Sequence, residues 1–226
     1  SKSERPFAEA NPISGHAEIE PIDVTASREW QAMIFGNSVP ESLAKTVQTN
    51  AHPFLSLSSN AYIGCEPFEG DFVIDGITLL PTASCLKWRK YWPEIVSQEE
   101  PDVIVYFVSQ ALVNDVKVDG KVFTFGVPEH DAFIKRSLEE TRNTALKAGA
   151  GSFALSNLAC HQVPTFDKVE AVRFNDVKVV KHINSVAQEW ADENDVLVID
   201  SFKALCPGST YSATVNGVKL YGDGLH

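Results

Sequence analysis

Two short clusters at opposite ends of the 226-residue chain hold the residue types that acyl-transfer chemistry needs. A serine hydroxyl becomes a useful nucleophile only when a base within hydrogen-bond reach takes its proton and a further group orients that base. Gly36-Asn37-Ser38 supplies the hydroxyl, and Asp223-Gly224-Leu225-His226 presents a carboxylate and an imidazole from one loop. Each cluster alone is ordinary. A serine at a helix start is often an N-cap, and a terminal Asp-x-x-His can be a solvated tail. Their order, their separation and their surroundings make the combination informative. The other histidines form no second motif: His52 and His130 sit beside proline or acidic residues in expected loops, and His161 follows Cys160.

The elements around Ser38 are legible. Trp30 to Phe35 is a short apolar run ended by Gly36, which predicts a buried strand. From Pro40 to Thr49 the spacing is helical, with Leu43, Ala44 and Val47 on one face. Ser38 is thus expected at a strand-to-helix junction, at the carboxyl end of a strand, where open α/β sheets gather their sites. A helix beginning there favours negative charge and offers N–H groups to an oxyanion.

Downstream, Phe54–Leu57 predicts a strand leading to Gly64, and Trp88–Val96 a helix. Val103–Val108 has the continuous apolar pattern of a central parallel strand buried on both faces. Val116–Phe125 alternates about Asp119-Gly120 and predicts a hairpin. Glu129–Lys147 is amphipathic through Phe133, Leu138 and Leu146, and is closed by Gly149. Ser152–Leu155 is a further strand. Val172–Glu193 reads as one helix with Val179, Ile183, Val186 and Trp190 inward, and Val196–Asp200 is the last strand. The alternation predicts an α/β fold, a three-layer α/β/α sandwich with a mainly parallel, flavodoxin-like central sheet. Residues 1–27, with Pro6, Pro12 and Pro21 among small and polar residues, are expected to form an extended arm, leaving 28–226 as the domain.

Composition narrows the partners. The chain is 44% hydrophobic and 10% aromatic, enough for a core, and its formal charge of −11 opposes binding to phosphate backbones or anionic membrane surfaces. An uncharged sugar or a lipid remains compatible with that charge. No run of eighteen apolar residues occurs. The start without methionine and the stop at His226 read as a domain excised from a longer protein. Cys65, Cys85, Cys160 and Cys206 form no C-x-x-C pair and no zinc spacing; two disulfides and four buried thiols both fit.

These blocks together resemble the SGNH (GDSL) hydrolase superfamily. Its first block is matched by Phe35-Gly36-Asn37-Ser38-Val39-Pro40-Glu41-Ser42-Leu43 and its last by Asp223 and His226. The middle of the chain is similar to a narrower branch, the extracytoplasmic SGNH domain fused behind membrane acyltransferase-3 proteins of actinobacteria. The matching pieces are Ala61-Tyr62-Ile63-Gly64-Cys65, Cys85-Leu86-Lys87-Trp88, Pro101-Asp102-Val103-Ile104-Val105 and Val118-Asp119-Gly120-Lys121. Gly149-Ala150 leading to Cys160, Leu205-Cys206-Pro207-Gly208 and the run from Asn216 to His226 complete a likeness that spans about residues 30–226.

The resemblance implies that Ser38 is the nucleophile, His226 the general base and Asp223 the orienting acid. It implies an oxyanion hole built from the N–H groups of Ser38 and Gly64, and disulfides Cys65–Cys85 and Cys160–Cys206. Such disulfides imply a location outside the cytoplasm. The implied activity is O-acyl transfer, most simply of acetyl, onto a cell-envelope glycan or glycolipid such as a trehalose ester. No metal or organic cofactor is implied: the acyl group arrives from a donor such as acetyl-CoA through a membrane acyltransferase-3 domain of the same protein. A carbohydrate or lipid acetylesterase using water, and a non-catalytic glycan- or lipid-binding module, are the alternatives. Two departures stand out. Asn37 occupies the place of the usual Asp, and simple register puts Ala111 where the third block's oxyanion Asn belongs, so either Gln110 or Asn114 substitutes or the site lacks that donor.

Overall fold

The computed structural model describes residues 29–226 apart from 49–54, 62–65, 69, 80–84, 164, 167–168, 171, 222–223 and 226. The expected arm over 1–27 lies outside the described residues. Strands β1 (Trp30–Gly36), β2 (Leu55–Ala61), β3 (Asp71–Ile74), β4 (Ile77–Leu79), β5 (Val103–Phe107), β6 (Asp115–Val118) and β7 (Lys121–Phe123) make up the first half. They are followed by β8 (Phe153–Ser156), β9 (Thr165–Phe166), β10 (Val169–Glu170), β11 (Leu197–Ile199), β12 (Thr214–Val215) and β13 (Val218–Lys219). The helices are α1 (Ser38–Gln48), α2 (Trp88–Glu99), α3 (Pro128–Lys147), α4 (Val172–Asn175), α5 (Val177–Glu193) and α6 (Ser201–Leu205).

The main sheet has the order β11-β8-β5-β1-β2, and every pairing in it is parallel. Helices flank it to give the α/β/α sandwich. Because β1 is followed by β2 on one side and β5 lies on the other, the strand order reverses at β1. That reversal opens a crevice outside the carboxyl ends of β1 and β5. Alternate residues of the strands explain the burial: Ile104 and Tyr106 of β5 are sequestered while Val103, Val105 and Phe107 are only partly covered. Phe35 of β1 stacks on Trp92 of α2 with ring centroids 3.9 Å apart, and α3 packs between α2 and α5. Among the described residues no helix is long and apolar enough to cross a membrane.

Local signals set most boundaries. Pro128 opens α3 with Glu129 and Asp131 in its first turn and Lys147 in its last, which suits the helix dipole. The single helix expected over 172–193 is instead two. Asp176 leaves helical geometry, and its carboxylate accepts from the Lys178 N–H at 2.8 Å, so it caps α5 and breaks the run. His130 is not in a loop; it is fully buried in the first turn of α3, with Nε2 3.1 Å from the Asn114 carbonyl oxygen. The hairpin expected about Asp119-Gly120 is present as β6–β7, with φ of 49° and 81° at the turn. Asp75-Gly76 and Asn216-Gly217 make two further hairpins with the same positive-φ signature, β3–β4 and β12–β13. Pairing of β3 with β6 then builds a separate antiparallel sheet, β4-β3-β6-β7.

One covalent tie crosses the carboxyl edge of the main sheet. Cys160, after β8, is bonded to Cys206, after α6, with a Cα–Cα distance of 5.9 Å. No described cysteine is a free thiol. The implied partner of Cys85, Cys65, lies outside the described residues. Closing 46 residues of chain is worth about 4 kcal/mol in the loop-entropy description. Cys160→Ser combined with Cys206→Ser is therefore expected to lower the thermal midpoint by about 8 to 16 °C, as read by calorimetry. An unchanged midpoint would show that native packing alone holds this edge.

Candidate active site

The junction after β1 is sharp because Gly36 makes it so. Its φ is +147°, and a Cβ there would meet Pro40 Cγ at 2.6 Å and Phe107 Cβ at 3.4 Å. A side chain would push the end of β1 away from the end of β5. Ser38 follows as the first residue of α1, at the reversal of strand order, where the sequence placed it. The Asn37 carbonyl accepts from the Glu41 N–H at 3.2 Å and starts the helix.

Asn37 itself is buried, and its amide ties three distant segments together. Oδ1 accepts from the Val39 N–H at 3.1 Å. Nδ2 donates to Glu66 Oε1 and to Gln110 Oε1, both at 2.8 Å. Glu66 is the residue after the Gly64-Cys65 pair, and it too is buried. Burial pushes its carboxyl up to about 7, against the lowering pull of Ser109 and Asn37. Glu66 Oε2 has no hydrogen-bond partner among the described residues. The nearby Tyr106 phenol is pushed well above its ordinary range, by burial first and by Glu66 second.

Gln110 begins a short 3₁₀ turn (Gln110–Val113) directly after β5, capped by Ser109, whose hydroxyl accepts from the Ala111 N–H at 3.0 Å. Ala111, the register position of the third block's Asn, is buried and has no donor to offer. The Asn114 amide is turned back on this turn, with Nδ2 donating to the Ala111 carbonyl at 3.3 Å.

A cavity of about 540 Å³ opens over this edge of the sheet, with mostly apolar walls. Val39 and Pro40, next to Ser38, line it on one side, and Leu225, next to His226, lines it on another. Gln110, His161 and Tyr221 are among the polar side chains that reach it. Leu43 is part of this wall and stands exposed, while Ala44, expected on the same helix face, is buried. The Tyr221 hydroxyl is buried without a partner among the described residues; burial, then Tyr211, raises it to about 12, so it stays a donor. A smaller hollow of about 230 Å³ at the amino edge of the sheet, lined by Gln31, Ser56 and Glu99 among others, has no nucleophile-and-base pair.

The wall formed by residues 157–163 has no regular structure, yet it is held at several points. Asn184 accepts from the Leu158 N–H at 2.8 Å and donates to the Leu158 carbonyl at 2.9 Å. Asn175 does the same for Val163, at 2.7 and 2.6 Å. Each amide stands in for a β-neighbour of the loop backbone. The Gln162 N–H donates to the Gly224 carbonyl at 3.0 Å. Gly224 has φ +86°, and a Cβ there would lie 2.1 Å from the Gln162 oxygen, so only glycine lets the chain end approach this wall.

The described structure thus places Val39 and Pro40, which follow Ser38, together with Gln110 and Leu225 around one cavity. Gly64, Asp223 and His226 lie outside the described residues. Glu66 and the clamps Asn175 and Asn184 carried no motif; burial shows the first, and bonds to distant backbone show the other two.

No family model matches the chain, and no curated protein matches it. Solved structures do. A carbohydrate acetylesterase family member from Sinorhizobium meliloti superposes with a TM-score of 0.51 at 13% identity, covering 87% of this chain and 89% of that one. A lipase/acylhydrolase from Enterococcus faecalis gives 0.49 at 16% identity over 87% and 86%. An acetylxylan esterase from Geobacillus stearothermophilus gives 0.45 at 12% identity over 78% of each chain. At these identities the likeness is one of fold.

The buried Glu66 carboxyl carries a pH signature. With its folded pKa near 7 and its unfolded one near 4.5, the native state binds more protons between those values, so stability falls as pH rises through that window. The loss is on the order of 3 kcal/mol. Glu66→Gln, which keeps an acceptor for Asn37, is expected to abolish this slope in urea unfolding at pH 5 and 7.5. An equal slope in both proteins would mean that Glu66 is ionised in the fold.

Proposed function

We propose that this chain is a serine-dependent O-acyltransferase domain of the SGNH hydrolase type, acting through a Ser38 acyl-enzyme. The observation that carries the reading is the shared cavity: Val39 and Pro40 beside Ser38, and Leu225 beside His226, line one mostly apolar space. Residues flanking two clusters almost two hundred positions apart line the same space, which supports pairing those clusters in one site.

In the first half-reaction Ser38 Oγ bonds to the acyl carbonyl carbon while its proton passes to His226, which Asp223 holds. The carbonyl π pair moves onto oxygen, giving an oxyanion near the start of α1. Its collapse expels the donor's leaving group, which takes the proton from His226. In the second half an acceptor hydroxyl gives its proton to His226 and attacks the acyl carbon; collapse breaks the bond to Ser38 Oγ, which takes that proton back from His226. Transfer and hydrolysis differ only in whether a sugar hydroxyl or water wins this step.

The apolar walls favour an organic acceptor over water, and the partnerless Tyr221 hydroxyl offers a donor to a hydroxylated one. A cell-envelope glycan or glycolipid acceptor, with acetyl delivered by a membrane acyltransferase-3 domain of the full protein, fits these features and the −11 charge. The Cys160–Cys206 disulfide supports an extracytoplasmic setting. The esterase reading is favoured by the fold shared with the Sinorhizobium acetylesterase family member.

Release of 4-nitrophenol from its acetate tests the reading. Ser38→Ala and His226→Ala are each expected to lower kcat by at least about 1000-fold, and acetyl is expected to accumulate on an added glycolipid acceptor. Ser38-dependent turnover that yields only free acetate would favour the esterase. Loss in His161→Ala with none in His226→Ala would overturn the base assignment. Equal rates for the parent protein and Ser38→Ala would leave a binding module.

A further inference from the structure

We propose that the Gln110 side-chain amide is the third oxyanion donor and that Asn37 is the residue that aims it, an inference resting on the acyl-enzyme reading above. The direction of each amide follows from a group that can only donate. The Val39 backbone N–H lies 3.1 Å from Asn37, so the atom facing it is the oxygen, Oδ1. That leaves Nδ2 to face Glu66 and Gln110, and each must present an acceptor to it. Gln110 Oε1 therefore points to Asn37, and Nε2 points away from it. Gln110 lines the cavity, and its Nε2 has no hydrogen-bond partner among the described residues.

The two departures in the sequence then explain each other. An aspartate at position 37 has no proton to give, so it would draw Gln110 Nε2–H toward itself and take the donor out of the cavity. It would also set a second carboxylate against the buried Glu66. Asn37 avoids both outcomes by donating twice. As Ser38 Oγ bonds to the acyl carbon and the π pair moves to oxygen, Nε2–H donates a hydrogen bond to that oxygen. No bond to Gln110 forms or breaks. Toward the oxyanion Asn37 acts through Gln110 and is a positioning residue.

Gln110→Ala, and the near-isosteric Gln110→Met as a second variant in case the first unfolds, are expected to lower kcat on 4-nitrophenyl acetate by about 100- to 1000-fold with KM little changed. Asn37→Asp is expected to match that loss. The double variant Asn37→Asp/Gln110→Ala is expected to be no worse than Gln110→Ala, because Asn37 has nothing left to aim. Losses that multiply would overturn the aiming role. A folded Gln110→Met with kcat within threefold of the parent, while Ser38→Ala is inactive, would overturn the donor assignment and leave the acyl-enzyme intact. Absence of any Ser38-dependent rate in the parent protein would overturn both.

Discussion

The buried amide of Asn37 is the interaction on which the candidate site depends. Its oxygen holds the first turn of α1, and its two protons hold the segment at Glu66 and the turn after β5. An unmet buried polar group costs on the order of 1 to 3 kcal/mol, so each of these partners is strongly specified. Three pieces of chain that meet nowhere else in sequence are locked at one point. Ser38 inherits its position from that lock and from the close approach that Gly36 permits between β1 and β5.

The parallel sheet supplies the rest of the framework. Parallel strands deliver all their carboxyl ends to one edge, and each connection must leave from there. The turns after β1, β5, β8 and β11 therefore crowd together, and the chain end comes to lie across them. Loops cannot satisfy their own backbones in such a place. Here two asparagines, a disulfide and a bond from Gln162 to Gly224 do so, and they keep the cavity wall in a single shape.

Much of this architecture was legible from residue patterns. β1, β5 and α3 follow directly from apolar runs and from helix spacing with terminal glycine or proline. The hairpin at Asp119-Gly120 was read from its turn pair, and the same pair type at Asp75-Gly76 and Asn216-Gly217 carried two more. The break at Asp176 was harder to see, because Val172–Asn175 and Val177–Glu193 share a helical apolar phase. One side chain that caps a helix interrupts it. His130 is misplaced in a loop because its acidic neighbours Glu129 and Asp131 suit a solvated loop as readily as the first turn of a helix.

By itself the sequence determined the strand-to-helix junction at Ser38 and the parallel alternation, and it held a serine block and an Asp-x-x-His block as candidates for one site. These are local in kind: each depends on the type and spacing of nearby residues. Only the tertiary structure decided which way the amides of Asn37 and Gln110 face, that Glu66 is buried beside them, and that Leu43 lines a cavity. Those outcomes turn on contacts across 29 and 73 positions of chain. Hydrogen-bond direction and desolvation arise only when such segments meet, and no pattern along one segment records them.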